Sequence, residues 1–202
     1  MARLTRMPSV LLCALALVLV QVAVAAQDVP APTPPADGEL AWVVAVVDGD
    51  TIRVDRGSGI AERLRYIGID TPETVHPEVP VEPWGPEAAA ANADLVAGEQ
   101  VLLERDVSEV DRFERLLRYV WVETPDGWRM VNAELVALGL AEARAYPPDT
   151  RHHEYLRAME EAARRAGAGL HGSRPQASAT PEPATEASGL LDRLLDLLLG
   201  DR

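Results

Sequence analysis

Lysine is absent from the 202 residues, cysteine occurs once, and no internal repeat is evident. The single thiol, Cys13, lies in an apolar run near the N-terminus. The chain beyond that run has nothing with which to form a disulfide, so its fold must stand on its hydrophobic core. Positive charge is also scarce. Nineteen arginines face 32 aspartates and glutamates, for a formal net charge of −13. A protein that grips nucleic acid by its backbone usually presents a basic surface, so this balance argues against tight non-specific binding. An acidic enzyme can still act on a polyanion if its site is locally positive and a metal offsets phosphate charge.

The N-terminus carries Arg3 and Arg6, then an apolar run over 10–26 with Ala23-Val24-Ala25 near its end. That is the pattern of a secretory signal peptide over 1–26, cut after Ala25 or Ala26. The alternative is an uncleaved anchor, because the run is nearly long enough to span a bilayer. Leu12 stands before Cys13 where a lipoprotein would have a small residue, and the run continues past it. The protein is therefore expected outside the cytoplasm, secreted or in the cell envelope. Residues 27–40 form a Pro/Ala-rich linker, expected to be extended. Residues 41–172, about 130 of them, suit one domain with a real core. Residues 173–188 form a second linker rich in Pro, Ser and Ala, and 189–202 (GLLDRLLDLLLGDR) read as a leucine-rich amphipathic helix. Its apolar face is too broad for an isolated soluble helix of that length. It is expected to dock on its own domain, to self-associate or to attach to a membrane surface.

Within the domain, alternation and turn signals predict strands over 42–47, 51–54, 63–69, 100–105 and 116–122, the first two joined at an Asp-Gly pair. Residues 74–84 hold three prolines and read as a loop. Helical spacing predicts helices over 86–96, 131–138 and 154–166; proline suits the first turn of the first, and Gly98 and Gly139 stop the first and second. In the third, Leu156, Met159, Ala163 and Ala166 share a face. This order predicts an α+β domain: a five-stranded OB-type β-barrel with three packed helices.

Three segments can carry chemistry: DGDT at 48–51, RYIGIDTPE at 65–73 and DRFER at 111–115. DGDT alone is weak, because aspartate beside glycine usually just makes a turn. Strand alternation places Arg65, Ile67 and Ile69 on one face, aiming Arg65 toward a barrel mouth. Three of the segments' carboxylates and two of their arginines can converge at one end of a barrel, the set that phosphodiester hydrolysis calls for. Hard carboxylate oxygens hold Ca²⁺ at roughly 2.3–2.6 Å. A glutamate can orient or deprotonate water, and guanidinium forks offset charge on phosphoryl oxygens. The competing reading is a set of surface ion pairs on an acidic domain. His76, His152, His153 and His171 do not make a credible metal set, and Trp84, Trp121 and Trp128 read as core or loop packing.

VVAVVDGDTI, RLRYIGIDTPET, HPEVPVEPWGPEA, DRFERLLRYV, MVNAELVALGLA and HHEYLRAMEEAARRAGAGLHG, spread from about Val43 to Gly172, resemble the staphylococcal nuclease (thermonuclease) family. IDTPET after DGDT, followed by GPEA, is a highly specific order. The resemblance implies a calcium-dependent nuclease that hydrolyses DNA and RNA to 3′-phosphate products. It implies that Asp50 and Asp70 bind the calcium with the backbone carbonyl of Thr71, with Asp48 a nearby acid. It implies further that Glu73 is the general base and that Arg65 and Arg115 bind phosphate.

The chain departs from the family at several places. Glu114 replaces the usual glycine before the second arginine, which is expected to strain the turn and to set a competing carboxylate beside Arg115. Glu78 and Val79 stand where lysines occur in the best-known member. Of the paired tyrosines that pack on a bound nucleotide, only Tyr146 remains, with Pro147 in the region of the other. Arg112 is a weaker candidate for phosphate contact. These departures bear on substrate affinity rather than on reaction type, and they leave a rival reading, a non-catalytic OB-fold module that binds nucleic acid or protein. Mass analysis of the exported protein is expected to find a chain that begins near residue 26 or 27; an intact N-terminus on a membrane-bound protein would establish the anchor instead.

Overall fold

The structure, a computed structural model, describes residues 29–74 and 80–172. The signal-peptide segment, His76, Glu78, Val79, the second linker and the leucine-rich segment lie outside the described residues.

Among the described residues, eight strands and three α-helices follow in the order β1 (Glu39–Asp48), β2 (Thr51–Asp55), β3 (Glu62–Tyr66), β4 (Ile69–Asp70), α1 (Gly85–Val96), β5 (Gln100–Glu104), β6 (Leu116–Thr124), β7 (Gly127–Met130), α2 (Val131–Ala137), β8 (Glu142–Ala143) and α3 (His153–Ala166), with a short 3₁₀ turn at Gly169–His171. The main sheet runs β3-β2-β1-β5-β6-β7, and a parallel pairing of β3 with β6 closes its first five strands into a barrel. The expected OB-type α+β fold with five barrel strands and three helices is the fold observed. β1 serves two neighbours, β2 along its second half and β5 along its first. Two irregularities in its register, between Val43 and Ala45 and between Val46 and Asp48, let it bend from one to the other.

Alternation builds the core. Ala41 and Val43 of β1, Ile52 and Val54 of β2, Leu64 and Tyr66 of β3, and Val101 and Leu103 of β5 are buried, while Leu40, Trp42 and Val44 on the other face of β1 are exposed. β6 is buried from Arg118 through Val122 on both faces, because α2 packs on its outer side. Fully burying one such aliphatic or aromatic side chain contributes roughly 1.5–3 kcal/mol. α3 buries Leu156, Met159, Ala162 and Ala163; Ala166, expected on that face, is exposed. The helix ends on Gly167 in the left-handed conformation, whose N–H caps the carbonyls of Ala163 and Arg164.

The expected strand over 63–69 is not continuous. β3 ends at Tyr66, and β4 starts a separate two-stranded ladder with β8. Gly68 makes the break: its φ is +78°, and a Cβ there would stand 2.7 Å from Leu156 Cδ1, so both conformation and space require glycine. The alternation from Arg65 to Ile69 therefore fails. Ile67 and Ile69 are both core residues, whereas the Arg65 side chain keeps 21% of its surface exposed.

A buried carboxylate ties the barrel to α3. Glu104, at the end of β5, accepts hydrogen bonds from Trp121 Nε1 (2.9 Å) and Arg151 Nη1 (2.9 Å) and lies 3.0 Å from His152 Nε2. Burial alone would raise its pKa, but the bonds from His152, Arg151 and Trp121 outweigh that and hold it below the ordinary 4.5. A carboxylate with a depressed folded pKa stabilises the fold above its ordinary value, and that contribution is lost as pH falls through the folded value. Glu104→Gln is expected to destabilise the domain by about 2 kcal/mol at neutral pH. In denaturant melts across the acid range, the gap between wild type and variant is expected to close as pH drops below 4.5.

Candidate active site

The β1–β2 turn and the start of the loop after β4 meet at one end of the barrel. Asp50 sits in that turn with no solvent exposure. Its Oδ1 accepts Arg65 Nη1 at 2.6 Å and Thr51 Oγ1 at 3.1 Å, and its Oδ2 accepts the Thr71 amide at 3.0 Å. Register explains the meeting: Arg65 on β3 lies directly opposite Thr51 on β2, and the Tyr66 amide donates to the Asp50 carbonyl. The second branch of the Arg65 guanidinium donates to Asp70 Oδ1 at 2.7 Å. One arginine thus bridges the two aspartates. Burial raises the Asp50 pKa, only partly countered by Arg65 and by the Thr71 amide. Asp48, two residues earlier, is also buried and also shifted upward, first by burial and further by the Glu73 carboxylate beside it.

Arg115 comes from the other half of the domain. Asp111 organises its turn: Oδ1 accepts the amides of Phe113 (2.8 Å) and Arg115 (3.0 Å), and Oδ2 accepts Arg115 Nε at 2.6 Å. Glu114 adopts φ +59°, the left-handed conformation that glycine takes without strain. The strain expected at this position is present. The expected competition is not: the carboxylate on Arg115 belongs to Asp111, and Glu114 is exposed. Arg65, Arg112, Arg115, Phe113 and Tyr146 line one open cleft of about 680 Å³. The Arg112 and Arg115 guanidinium carbons lie 4.6 and 5.4 Å from the centroid of the Phe113 ring. Tyr146 is half exposed, and its pKa is raised by burial of part of the ring and by Asp70. Pro147 lines the same cleft.

The predicted site residues therefore fall into three groups. Asp50, Asp70, Thr71 and Arg65 meet in one hydrogen-bonded cluster. Arg112, Arg115 and Tyr146 share the cleft with Arg65 and belong to a separate group from Asp50 and Asp70, with Arg115 paired to Asp111 instead. Glu73 lies beside Asp48 and accepts the Thr74 amide at 3.0 Å. Asp111 and Phe113 were not singled out from the sequence. Asp111 stands four residues before Arg115, a pairing distance that local spacing does suggest, whereas an exposed phenylalanine has no such signal.

The cluster's two carboxylates, Asp50 and Asp70, are oxygen donors of the kind a hard divalent cation takes. The carboxylates approach closely enough for a single guanidinium to bridge them. Among the described residues no set of three or more His, Cys, Asp or Glu side chains is arranged around a metal position. Such an ion would complete its shell with water and phosphate oxygen, as oxygen-loving cations do.

The fold defines an OB-type barrel whose mouth carries an acidic pair beside an arginine-lined cleft. The family model for staphylococcal nuclease homologues matches residues 63–172, a stretch that starts on β3 and leaves the DGDT turn ahead of it. A thermonuclease of Staphylococcus hyicus is 42% identical over 123 residues, covering 61% of this chain and 70% of that protein. A thermonuclease of Staphylococcus intermedius is 39% identical over 128 residues, covering 63% and 73%. Endonuclease YncB of Bacillus subtilis (strain 168) is 38% identical over 120 residues, covering 58% and 54%. The chain belongs to the staphylococcal nuclease family and is a nuclease, a hydrolase of phosphodiester bonds.

The left-handed turn at Glu114 yields a stability prediction. An L-residue there costs about 1–2 kcal/mol, and glycine gives back roughly 0.5–1 kcal/mol through its freer unfolded chain. Glu114→Gly is expected to raise Tm by about 2 °C in a thermal melt. Little change in turnover is expected, because Asp111 already holds Arg115; a large gain would show that Glu114 restrains the arginine after all.

Proposed function

We propose that this nuclease is an exported, calcium-dependent enzyme that cleaves DNA and RNA between phosphorus and the 5′ oxygen, leaving 3′-phosphate products. The observation that carries the site assignment is the bridge from Arg65 to both Asp50 and Asp70 at the wall of the cleft. Asp50, Asp70 and the Thr71 carbonyl would hold the calcium. When bound, the ion supplies positive charge that offsets the phosphate and favours attack at phosphorus. Donor chemistry supports calcium: the set is all oxygen, without the nitrogen or sulfur that softer metals prefer.

The side chains divide the remaining work. Arg65 and Arg115 offer forked donors to the phosphoryl oxygens of a strand lying in the cleft. Their interaction strengthens as negative charge builds up in the five-coordinate transition state. Glu73 takes a proton from the attacking water, which approaches in line with the departing 5′ oxygen. Arg112 adds a further positive charge at the rim, and the Tyr146 and Phe113 rings give a base or sugar an apolar surface. Because the chain as a whole is acidic, this local cluster of arginines and the ion must provide the attraction for substrate. The basic n-region, apolar run and small residues near 23–26 support export. The seven leucines in 189–202 support attachment of that segment to a membrane surface or to a second copy of the chain.

Cleavage of plasmid DNA and of RNA is expected to require calcium and to stop in chelator; full activity in chelator would remove the metal assignment. Glu73→Gln keeps size and a hydrogen-bonding oxygen but cannot take the proton. Its turnover is expected to fall by about 10²–10⁴-fold, with circular dichroism and calcium binding unchanged.

A further inference from the structure

A catalytic base on a loop needs something to fix it, because a misplacement of about 1 Å can cost on the order of 10²-fold in rate. Glu73 lies on the irregular stretch that follows β4, outside any strand or helix. Two residues outside the cluster described above restrain it from both sides.

The first is Thr74. Its amide donates to Glu73 Oε1 at 3.0 Å, so it touches the carboxylate itself. Its hydroxyl donates to Asp48 Oδ1 at 2.6 Å. Asp48 is in turn tied to the core. Its carbonyl accepts Asn92 Nδ2 of α1 at 2.8 Å, and Asn92 Oδ1 accepts the Tyr66 hydroxyl at 2.8 Å. Asn92 has no exposed surface and Tyr66 has 1%. A continuous line of hydrogen bonds, buried at Tyr66, Asn92 and Asp48 and half-buried at Thr74, thus runs from β3 through α1 and β1 to the residue that caps the Glu73 carboxylate. Such a line is rigid because every member would be left unsatisfied if it moved.

The second is Glu82. Its Oε2 accepts the Glu73 amide at 3.0 Å, and its own amide donates to the Glu73 carbonyl at 2.9 Å. The Glu73 backbone is therefore held at both its donor and its acceptor. Gly85, at the start of α1, brings these pieces into register. A Cβ at that position would stand 2.6 Å from Thr74 Cγ2 and 3.1 Å from the carbonyl oxygens of Glu73 and Pro72. Only glycine lets the 72–74 segment lie this close against the first turn of α1.

We propose that Thr74 and Glu82 are positioning residues for Glu73: Thr74 aims the carboxylate from the buried Asp48–Asn92–Tyr66 line, and Glu82 clamps the backbone. This rests on the reading of Glu73 as the general base. Neither residue touches substrate, so their loss acts on turnover and spares KM.

The test is a set of variants of the full chain assayed with calcium on a defined single-stranded DNA. Thr74→Val removes the hydroxyl at nearly constant volume and is expected to lower kcat about tenfold or more, with KM held within about twofold. Thr74→Ser, which keeps the hydroxyl, is expected to restore kcat. Glu82→Ala removes the exposed clamp without touching the core, and it carries the test if Thr74→Val does not fold. Its kcat is expected to fall several-fold, again at constant KM. The decisive arm combines each change with Glu73→Gln, where positioning a side chain that no longer takes a proton gains nothing, so Thr74→Val and Glu82→Ala are expected to add no further loss. Wild-type kcat in the single variants, or the same fall in the Glu73→Gln background as in wild type, overturns the proposal. Wild-type kcat in Glu73→Gln itself removes the base assignment, and the positioning role falls with it.

Discussion

The parallel pairing of β3 with β6 is the contact on which the rest of the molecule depends. It sets Leu64 opposite Leu116, Arg65 opposite Leu117 and Tyr66 opposite Arg118. Parallel strands cannot be joined by a tight turn, so the chain must travel a long way between them. Here the connection runs through β4, α1 and β5. That detour places the two halves of the candidate site side by side. The β1–β2 turn, β4 and the loop after it contribute Asp50, Asp70 and Glu73; the turn before β6 contributes Arg112 and Arg115. Without closure, Arg65 on β3 and Arg115 ahead of β6 would be separated by the width of an open sheet. Closure also covers the outer edge of β3, which would otherwise offer unpaired backbone groups to other chains.

Charge imposes the second constraint. With 32 acidic residues against 19 arginines, the net charge of the chain is repulsive toward a polyanion. Its positive groups are largely committed to internal partners: Arg56 to Glu39 and Glu62, Arg118 to Glu109, Arg151 to Glu104 and Asp106. In the cleft, three arginines gather around an open space. Even there, Arg65 and Arg115 are held by aspartates, so substrate must compete for them. Desolvating Asp50 is costly, and an ion pair across its bonds does not by itself add much stability. What the pairing provides is geometry: a guanidinium held at two points cannot swing away from the cleft wall.

Local patterns in the sequence carried much of the fold. The helices over 85–96 and 131–137 and the buried face of α3 at Leu156, Met159 and Ala163 follow from helical spacing, from proline in a first turn and from glycine at an end. Barrel strands were legible wherever alternation ran for four residues or more. The two-residue strands β4 and β8 were not, because two residues have no period. β7, which follows the turn at Asp126, has no counterpart among the predicted strands. The break at Gly68 was missed because Ile67 and Ile69 continue an alternating pattern; what decides against a strand is Leu156, almost ninety residues away, filling the space a Cβ would need.

The sequence by itself determined the inventory: an acidic chain without lysine, aspartates beside a glycine at 48–50, an aspartate at 70, a glutamate after proline at 73, and arginines at 65 and 115. Those are properties of residue types and near neighbours, and local chemistry is enough to read them. Only the tertiary structure decided which of these groups meet. Arg65 bridges Asp50 and Asp70 because strand register sets it against the β1–β2 turn. Arg115 is tied to Asp111 rather than to Glu114 because a left-handed backbone at Glu114 turns the chain back on itself. Thr74 reaches the Asp48–Asn92–Tyr66 line because α1 packs on β1. Contacts between residues tens of positions apart leave no period along the chain, so their partners are settled only when the barrel closes.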